Sequence, residues 1–305
     1  MGMVLAAADI GSNTVHLLVA DVNGSVQRRL ANESEWLSLG EVVSRERRIP
    51  DTDADRLVGV LARYKAICTT FKAQKLYVFA TEAMRVAENH DAVLQRIKKE
   101  VGVTVDLIPS HREAELSWRG TQLDCSTPEP AALVEIGGGS VQVAVVQRGA
   151  LTHQVSLPLG TGRLIEQTGL VYPCPPDRLD RLGRLIDAEL MRVADFPRVN
   201  SMVVSGGVGR GIWRALHPDG LRDIVLPEVK YLEWAAARLT ASQGAARFNV
   251  RLKRGQTLVP GAMVFRKIME RLDIDHFVVS EFGVREGAIM ELAANAPKAK
   301  TAKRK

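Results

Sequence analysis

"AAADIGSNTVHLLVAD" occupies residues 6–21, and the fold turns on how it is read. An apolar run ends at Asp9, a short break of Gly11, Ser12, Asn13 and Thr14 follows, and a second apolar run resumes at Val15. Two such runs around a small, polar break predict paired strands joined by a tight turn. The pattern returns at residues 131–147 as "AALVEIGGGSVQVAVVQ": apolar residues, the acid Glu135, Ile136, a turn of Gly137, Gly138, Gly139 and Ser140, then a β-branched return strand. The two acids are 126 positions apart. A repeat of this kind predicts a duplicated unit and two lobes of similar fold.

The turns carry a chemical expectation. Backbone N–H groups gathered in a glycine turn form a nest that prefers anions, phosphate above all. A carboxylate at the end of each strand, Asp9 and Glu135, suits a divalent cation such as magnesium, which is held by one or two carboxylates together with phosphate oxygens.

Working outward, the chain reads as α/β. Strands are expected at Val4–Asp9, Val15–Asp21, Ser25–Leu30, Lys75–Ala80 and Thr104–Ile108, with helices at Asp51–Phe71 (Asp53 as its cap) and Asp91–Glu100. A helix Glu113–Gln122 precedes strands Ala131–Ile136, Val141–Arg148 and Leu151–Ser156. Then come helices Arg163–Thr168 and Asp177–Val193, strand Ser201–Ser205 ending in "SGG", helices Glu228–Thr240 and Leu258–Leu272, strand His276–Val279 and helix Val284–Leu292. Gly206 and Gly207, between a strand and a helical stretch, could let backbone approach a phosphate or nucleotide.

Composition excludes several classes. With 46% apolar and 25% charged residues over 305 positions, the chain is long enough for two cores. No run approaches the roughly 20 apolar residues of a membrane span, and "MGMVLAAADIG" lacks a basic n-region and a cleavage site, which reads as cytoplasmic. The three cysteines, Cys68, Cys125 and Cys174, are scattered, so neither a disulfide framework nor a zinc site is expected. The net charge of +6 comes largely from "PKAKTAKRK": removing its five basic residues from 41 leaves 36 against 35 acids. With 5% aromatics and no aromatic–basic ladder, specific nucleic-acid binding is not expected, and 295–305 reads as a disordered basic tail.

Six stretches in order, "DIGSNTVHLLVAD", "FATEAMRVAEN", "HREAELSWRG", "EIGGGSVQ", "SLPLGTGRL" and "FGVREG", resemble the exopolyphosphatase and guanosine pentaphosphate phosphohydrolase family, within the actin-like superfamily that includes sugar kinases. The resemblance runs to about Leu292 and matches the short, two-lobed form. It implies two ribonuclease-H-like lobes, 1–115 and 116–283, an active site in the cleft between them, and a last helix, 284–294, packed back on the first lobe. The activity implied is magnesium-assisted removal of the terminal phosphate of inorganic polyphosphate or guanosine pentaphosphate. A homodimer is allowed, and a non-hydrolytic sensor of the same ligands is the alternative.

By this resemblance Glu113 is the catalytic base and Arg85 a phosphate ligand. Gly11, Ser12, Asn13, Gly137, Gly138, Gly139 and Ser140 grip phosphate, and Asp9 and Glu135 hold the metal. Arg210, Lys230 and "RLKRG" (251–255) are candidates to line a polyanion route, while His16 reads as a hydrogen-bonded structural residue. The chain departs from the family pattern at Gln142, where a Glu would add a carboxylate, at Arg112, in place of an acid, and at Glu135, in place of Asp.

Overall fold

The computed structural model describes residues 2–296, so nearly all of the expected tail lies outside the described residues. Strands β1 (Met3–Ile10), β2 (Thr14–Asn23) and β3 (Val26–Trp36) form an antiparallel meander, and β4 (Lys75–Ala80) and β5 (Val105–Leu107) extend it in parallel, in the order β3-β2-β1-β4-β5. Between them lie α1 (Leu39–Glu46), α2 (Asp51–Thr70), α3 (Glu82–Val86) and α4 (His90–Val101). Both faces of β1 are buried. Ala6, Ala8 and Ile10 join the core under α2 and α4, and Leu5 and Ala7 join a second cluster on the opposite face. This two-sided burial explains why β1 reads as a continuous apolar run rather than an alternating one.

Helix α5 (Ser110–Thr121) leads into the repeat: β6 (Ala131–Ile136), β7 (Val141–Gln147) and β8 (Ala150–Leu157) form the same meander. Next come α6 (Thr161–Thr168), α7 (Pro176–Leu190), β9 (Ser201–Ser205), α8 (Gly206–Leu216), β10 (Asp223–Val225), α9 (Leu226–Ala237), α10 (Ala241–Arg247), α11 (Leu252–Gly255), α12 (Leu258–Leu272), β11 (His276–Val279) and α13 (Val284–Ala294). The second sheet runs β10-β11-β9-β6-β7-β8. The registers of the two hairpins coincide: Asp9 faces His16 and Glu135 faces Gln142, each one step before the turn.

Several elements differ from the sequence expectation. β3 continues to Trp36, α1, α3, α10, α11 and β10 are additional, and the helical stretch expected without bounds after Gly207 is α8, which takes in Gly206 and Gly207 as well. Helix α8, "GGVGRGIWRAL", has four glycines and weak intrinsic propensity. Packing overrides that weakness, since Val208, Ile212 and Trp213 enter the main core. A Cβ on Gly209 would lie 2.3 Å from Val204, so a small residue lets this helix lie against β9. Asp53 is not the cap of α2: Pro50 holds that position, and the Asp53 carboxylate accepts from Arg56 at 3.3 Å.

Helices α5 and α13 cross where the two sheets meet, and the expected boundary at 115 falls inside α5. Leu116 joins Val284, Ala288 and Ile289 against the first sheet, while Trp118 packs with Leu133, Ala144 and Val203 of the second. Arg112 ties α5 to Glu291 of α13. The crossing depends on two glycines, because a Cβ on Gly287 would lie 1.8 Å from the Leu116 carbonyl oxygen and one on Gly120 would lie 2.0 Å from that of Gly283. Gly287→Ala is therefore expected to lower stability by about 1–3 kcal/mol despite its better helix propensity, because the helices must separate. Urea denaturation reads the change; equal or higher stability would contradict this close approach.

Candidate functional site

Each hairpin turn is closed by the same bond: Gly11 N–H donates to the Thr14 carbonyl at 3.1 Å, and Gly137 N–H donates to that of Ser140 at 2.9 Å. The next helix buttresses each turn. Gly40 N–H donates to the Ser12 carbonyl at the start of α1, and Thr161 and Gly162 N–H donate to the Gly137 and Gly138 carbonyls at the start of α6. The expectation that all the turn amides face phosphate is corrected here, because Gly11 and Gly137 spend theirs within the turn. The N–H groups of Ser12, Asn13, Gly138 and Gly139 have no backbone acceptor among the described residues. The turns also face each other closely: a Cβ on Gly138 would meet Asn13 at 2.1 Å, and one on Gly139 would meet Ser12 at 2.6 Å.

Between the turns is a cavity of about 90 Å³ lined by both loops and by Asp9, His16, Thr81, Glu82, Glu113, Glu135, Gly207 and Arg254. Three carboxylates assigned from sequence thus come together from β1, α5 and β6. Burial pushes the Asp9 carboxyl up to about 7, with Arg285 and Arg85 pulling down and Glu135 pushing up. Its Oδ1 is buried without a hydrogen-bond partner. Glu113 is pushed up to about 8, mainly by burial, although Arg85 donates to its Oε2 at 3.1 Å. Glu135 is held by two hydroxyls on Oε2, Ser205 at 3.1 Å and Ser117 one helical turn after Glu113.

No three His, Cys, Asp or Glu side chains among the described residues form a complete metal-ligand set. The orphaned Asp9 oxygen and the facing Glu135 nonetheless fit a cation that takes its remaining ligands from water and phosphate, the usual magnesium arrangement.

Arg85 is not among the lining residues. Its guanidinium sits behind Glu82 and Glu113, donating to Glu82 Oε2 at 3.1 Å and to the Ile108 carbonyl at 2.8 Å. Gly207 lines the cavity, and Gly206 (φ 82°) brings its backbone against Glu135, where a Cβ would lie 2.9 Å from Glu135 Cγ. His16 does not make the hydrogen bond expected of it among the described residues. It lines the cavity and is pushed well below the usual imidazole range by burial and by Arg285, Arg210 and Arg254.

Gln142 is 2% exposed and lies outside the cavity, donating to Ser156 Oγ at 3.1 Å and accepting from Gln154 at 3.0 Å. It is therefore a satisfied partner within the second sheet rather than a gap on the metal side. Gln142→Glu is expected to cost about 1–3 kcal/mol by burying a charge beside Glu135, with no gain in rate. A thermal melt and a magnesium titration check this, and a tighter magnesium requirement would contradict it.

Behind the site, a cavity of about 480 Å³ is lined by six arginines, Arg29, Arg210, Arg214, Arg251, Arg254 and Arg285, and it shares His16, Gly207 and Arg254 with the carboxylate cavity. Arg29 and Arg285 are bonded, to Glu286 at 3.1 Å and to Asn32 at 2.9 Å. Arg210, Arg214, Arg251 and Arg254 have no carboxylate partner among the described residues. Burial lowers Arg210, and lowers Arg254 to about 10 with help from neighbouring arginines. Lys230 is not part of this route, because it pairs with Glu270 on another face. The sequence reading missed Glu82, Ser117 and Ser205. It also missed the start of α1, for which a signal exists: "LSLG" at 37–40 repeats "LPLG" at 157–160.

A family model for the Ppx/GppA phosphatase family matches residues 18–296. The chain is 29% identical to exopolyphosphatase 1 of Mycobacterium tuberculosis, over 94% of this chain and 88% of that protein. It is 22% identical to a guanosine-5'-triphosphate,3'-diphosphate pyrophosphatase of Photobacterium profundum, over 94% of this chain and 59% of that one. The crystal structure of the Aquifex aeolicus Ppx/GppA family member superposes with a TM-score of 0.84 at 25% identity, covering 97% of this chain and all of that one.

Proposed function

Because the chain belongs to the Ppx/GppA phosphatase family, we propose that it hydrolyses the terminal phosphoanhydride of a phosphate chain, inorganic polyphosphate in the first place and guanosine pentaphosphate in the second. The observation that carries this reading is the adjacency of two cavities that share His16, Gly207 and Arg254: a small one with paired glycine turns and four carboxylates, and a larger one with six guanidiniums. The first suits a single phosphoryl group and the second the rest of a polyanion. Among the lining residues of the larger cavity Val250 is the one apolar side chain, which leaves little wall for a nucleobase.

Phosphoryl transfer asks a protein for position and charge neutralisation more than for covalent chemistry. In this reading the free amides of Ser12, Asn13, Gly138 and Gly139 hold the terminal phosphate. Asp9 and Glu135 hold magnesium, which when bound neutralises phosphate charge. Glu113 takes the proton of the attacking water, and Arg85 fixes the Glu113 carboxylate. Arg254, shared by both cavities, holds the next phosphate.

Initial rates on long polyphosphate and on guanosine pentaphosphate, measured side by side for wild type and Arg254→Gln, test the proposal. Polyphosphate should be the faster substrate, and the variant should raise its KM with a weaker salt dependence. An unchanged KM would remove the arginine cavity from the account.

A further inference from the structure

Glu82 stands at the wall of the reaction cavity with an arginine on each side. From the first turn of α3 its Oε2 accepts from Arg85 at 3.1 Å and its Oε1 accepts from Arg163 of α6 at 3.4 Å. Its Cγ lies 3.1 Å from where a Cβ on Gly139 would be, so the carboxylate is pressed against the second glycine turn. Glu82 lines the cavity, while the two guanidiniums do not. All three side chains are largely covered, at 19%, 18% and 23% exposed. Since Arg163 follows the second turn and Glu82 and Arg85 follow β4, this ion pair also crosses from one lobe to the other.

A carboxylate held by two guanidiniums presents the same fork geometry and the same sign of charge as a phosphate oxygen pair. We propose that Glu82 is an internal anion that competes with phosphate for Arg85 and Arg163, and that it thereby loosens the hold on a terminal phosphate enough for the orthophosphate product to leave. The inference rests on the phosphohydrolase reading above. A phosphate entering the cavity gains the two arginines only by displacing Glu82. A chain substrate offsets that cost through its further phosphates in the arginine cavity. Orthophosphate has no such second hold, so Glu82 returns to its partners and the product leaves.

Direct binding of inorganic phosphate by calorimetry, in wild type, Glu82→Gln and Glu82→Gln/Arg163→Gln, tests this independently of turnover. Removing the competing charge should tighten phosphate binding at least about tenfold, the scale of one charge-assisted hydrogen bond. The double variant should lose most of that gain. In the hydrolysis assay Glu82→Gln should show correspondingly stronger product inhibition, and KM for long polyphosphate should fall by a comparable factor, because the chain's terminal phosphate displaces the same carboxylate. Phosphate binding that weakens or stays unchanged in a folded Glu82→Gln protein would overturn the inference, leaving Glu82 as a buttress for the arginines. A gain that persists in the double variant would remove Arg163 from it. Absence of hydrolysis in wild type would instead count against the functional reading, whatever phosphate binding shows.

Discussion

Glu113→Gln is expected to lower kcat on polyphosphate by roughly two to four orders of magnitude, the range for losing a general base, while leaving the fold and most substrate binding intact. The amide keeps the shape of the carboxylate, and its oxygen can still accept from Arg85. What it loses is the ability to take a proton from water. Burial pushes the Glu113 carboxyl up to about 8, so wild-type kcat/KM should rise with pH as this group deprotonates, with bound magnesium moving the rise to lower pH. The Gln variant should lose that limb. Near-normal rates in a variant with an unchanged urea transition would take Glu113 out of its role.

Asp9→Asn is expected to raise the magnesium concentration for half-maximal rate at least about tenfold, because a neutral amide is a poor ligand for a hard cation. It should also change stability in a way that identifies the cause. Burial pushes the Asp9 and Glu113 carboxyls up to about 7 and about 8 in the folded protein, from ordinary values of 3.8 and 4.5. Between those limits the folded state keeps protons that the unfolded chain has lost. Metal-free stability must therefore fall as pH rises from about 4 to about 8. Magnesium should restore part of it at pH 8, and Asp9→Asn should flatten the pH slope and abolish most of the magnesium-induced rise in Tm. A variant that still gains Tm with magnesium like wild type would place the cation elsewhere.

The fold was legible where the chain repeats itself. Asp9 and Glu135 occupy matching registers in matching hairpins, and that equivalence follows from two similar stretches of sequence and the period-two geometry of strands. Legibility fell where tertiary packing overrode local preference. Glycine-rich α8 forms because Val208, Ile212 and Trp213 have a core to enter, and α1 forms beneath the first turn although "LGEVVSRE" is short and flanked by a Ser38 in left-handed conformation.

In the site, residue types pointed to phosphate chemistry, but direction did not follow from type. The Gly11 and Gly137 amides turn inward to close their hairpins, Arg85 stands behind a carboxylate, and Gln142 is absorbed by Ser156 and Gln154. The arginine cavity was half visible. Arg210 and "RLKRG" could be marked as basic, but only the chain path past α8, α11 and β3 shows that Arg210, Arg251 and Arg254 converge with Arg29 on one space next to Gly207.

The most direct test of the account is orthophosphate release from long-chain polyphosphate by the purified protein with magnesium, followed over time by a phosphate assay alongside the length of the remaining polymer. The account predicts steady release that needs the divalent cation, is abolished by chelation and falls to near background in Glu113→Gln. Polyphosphate that binds with high affinity but stays uncut at saturating magnesium would contradict it and make the chain a sensor of the polymer rather than its hydrolase.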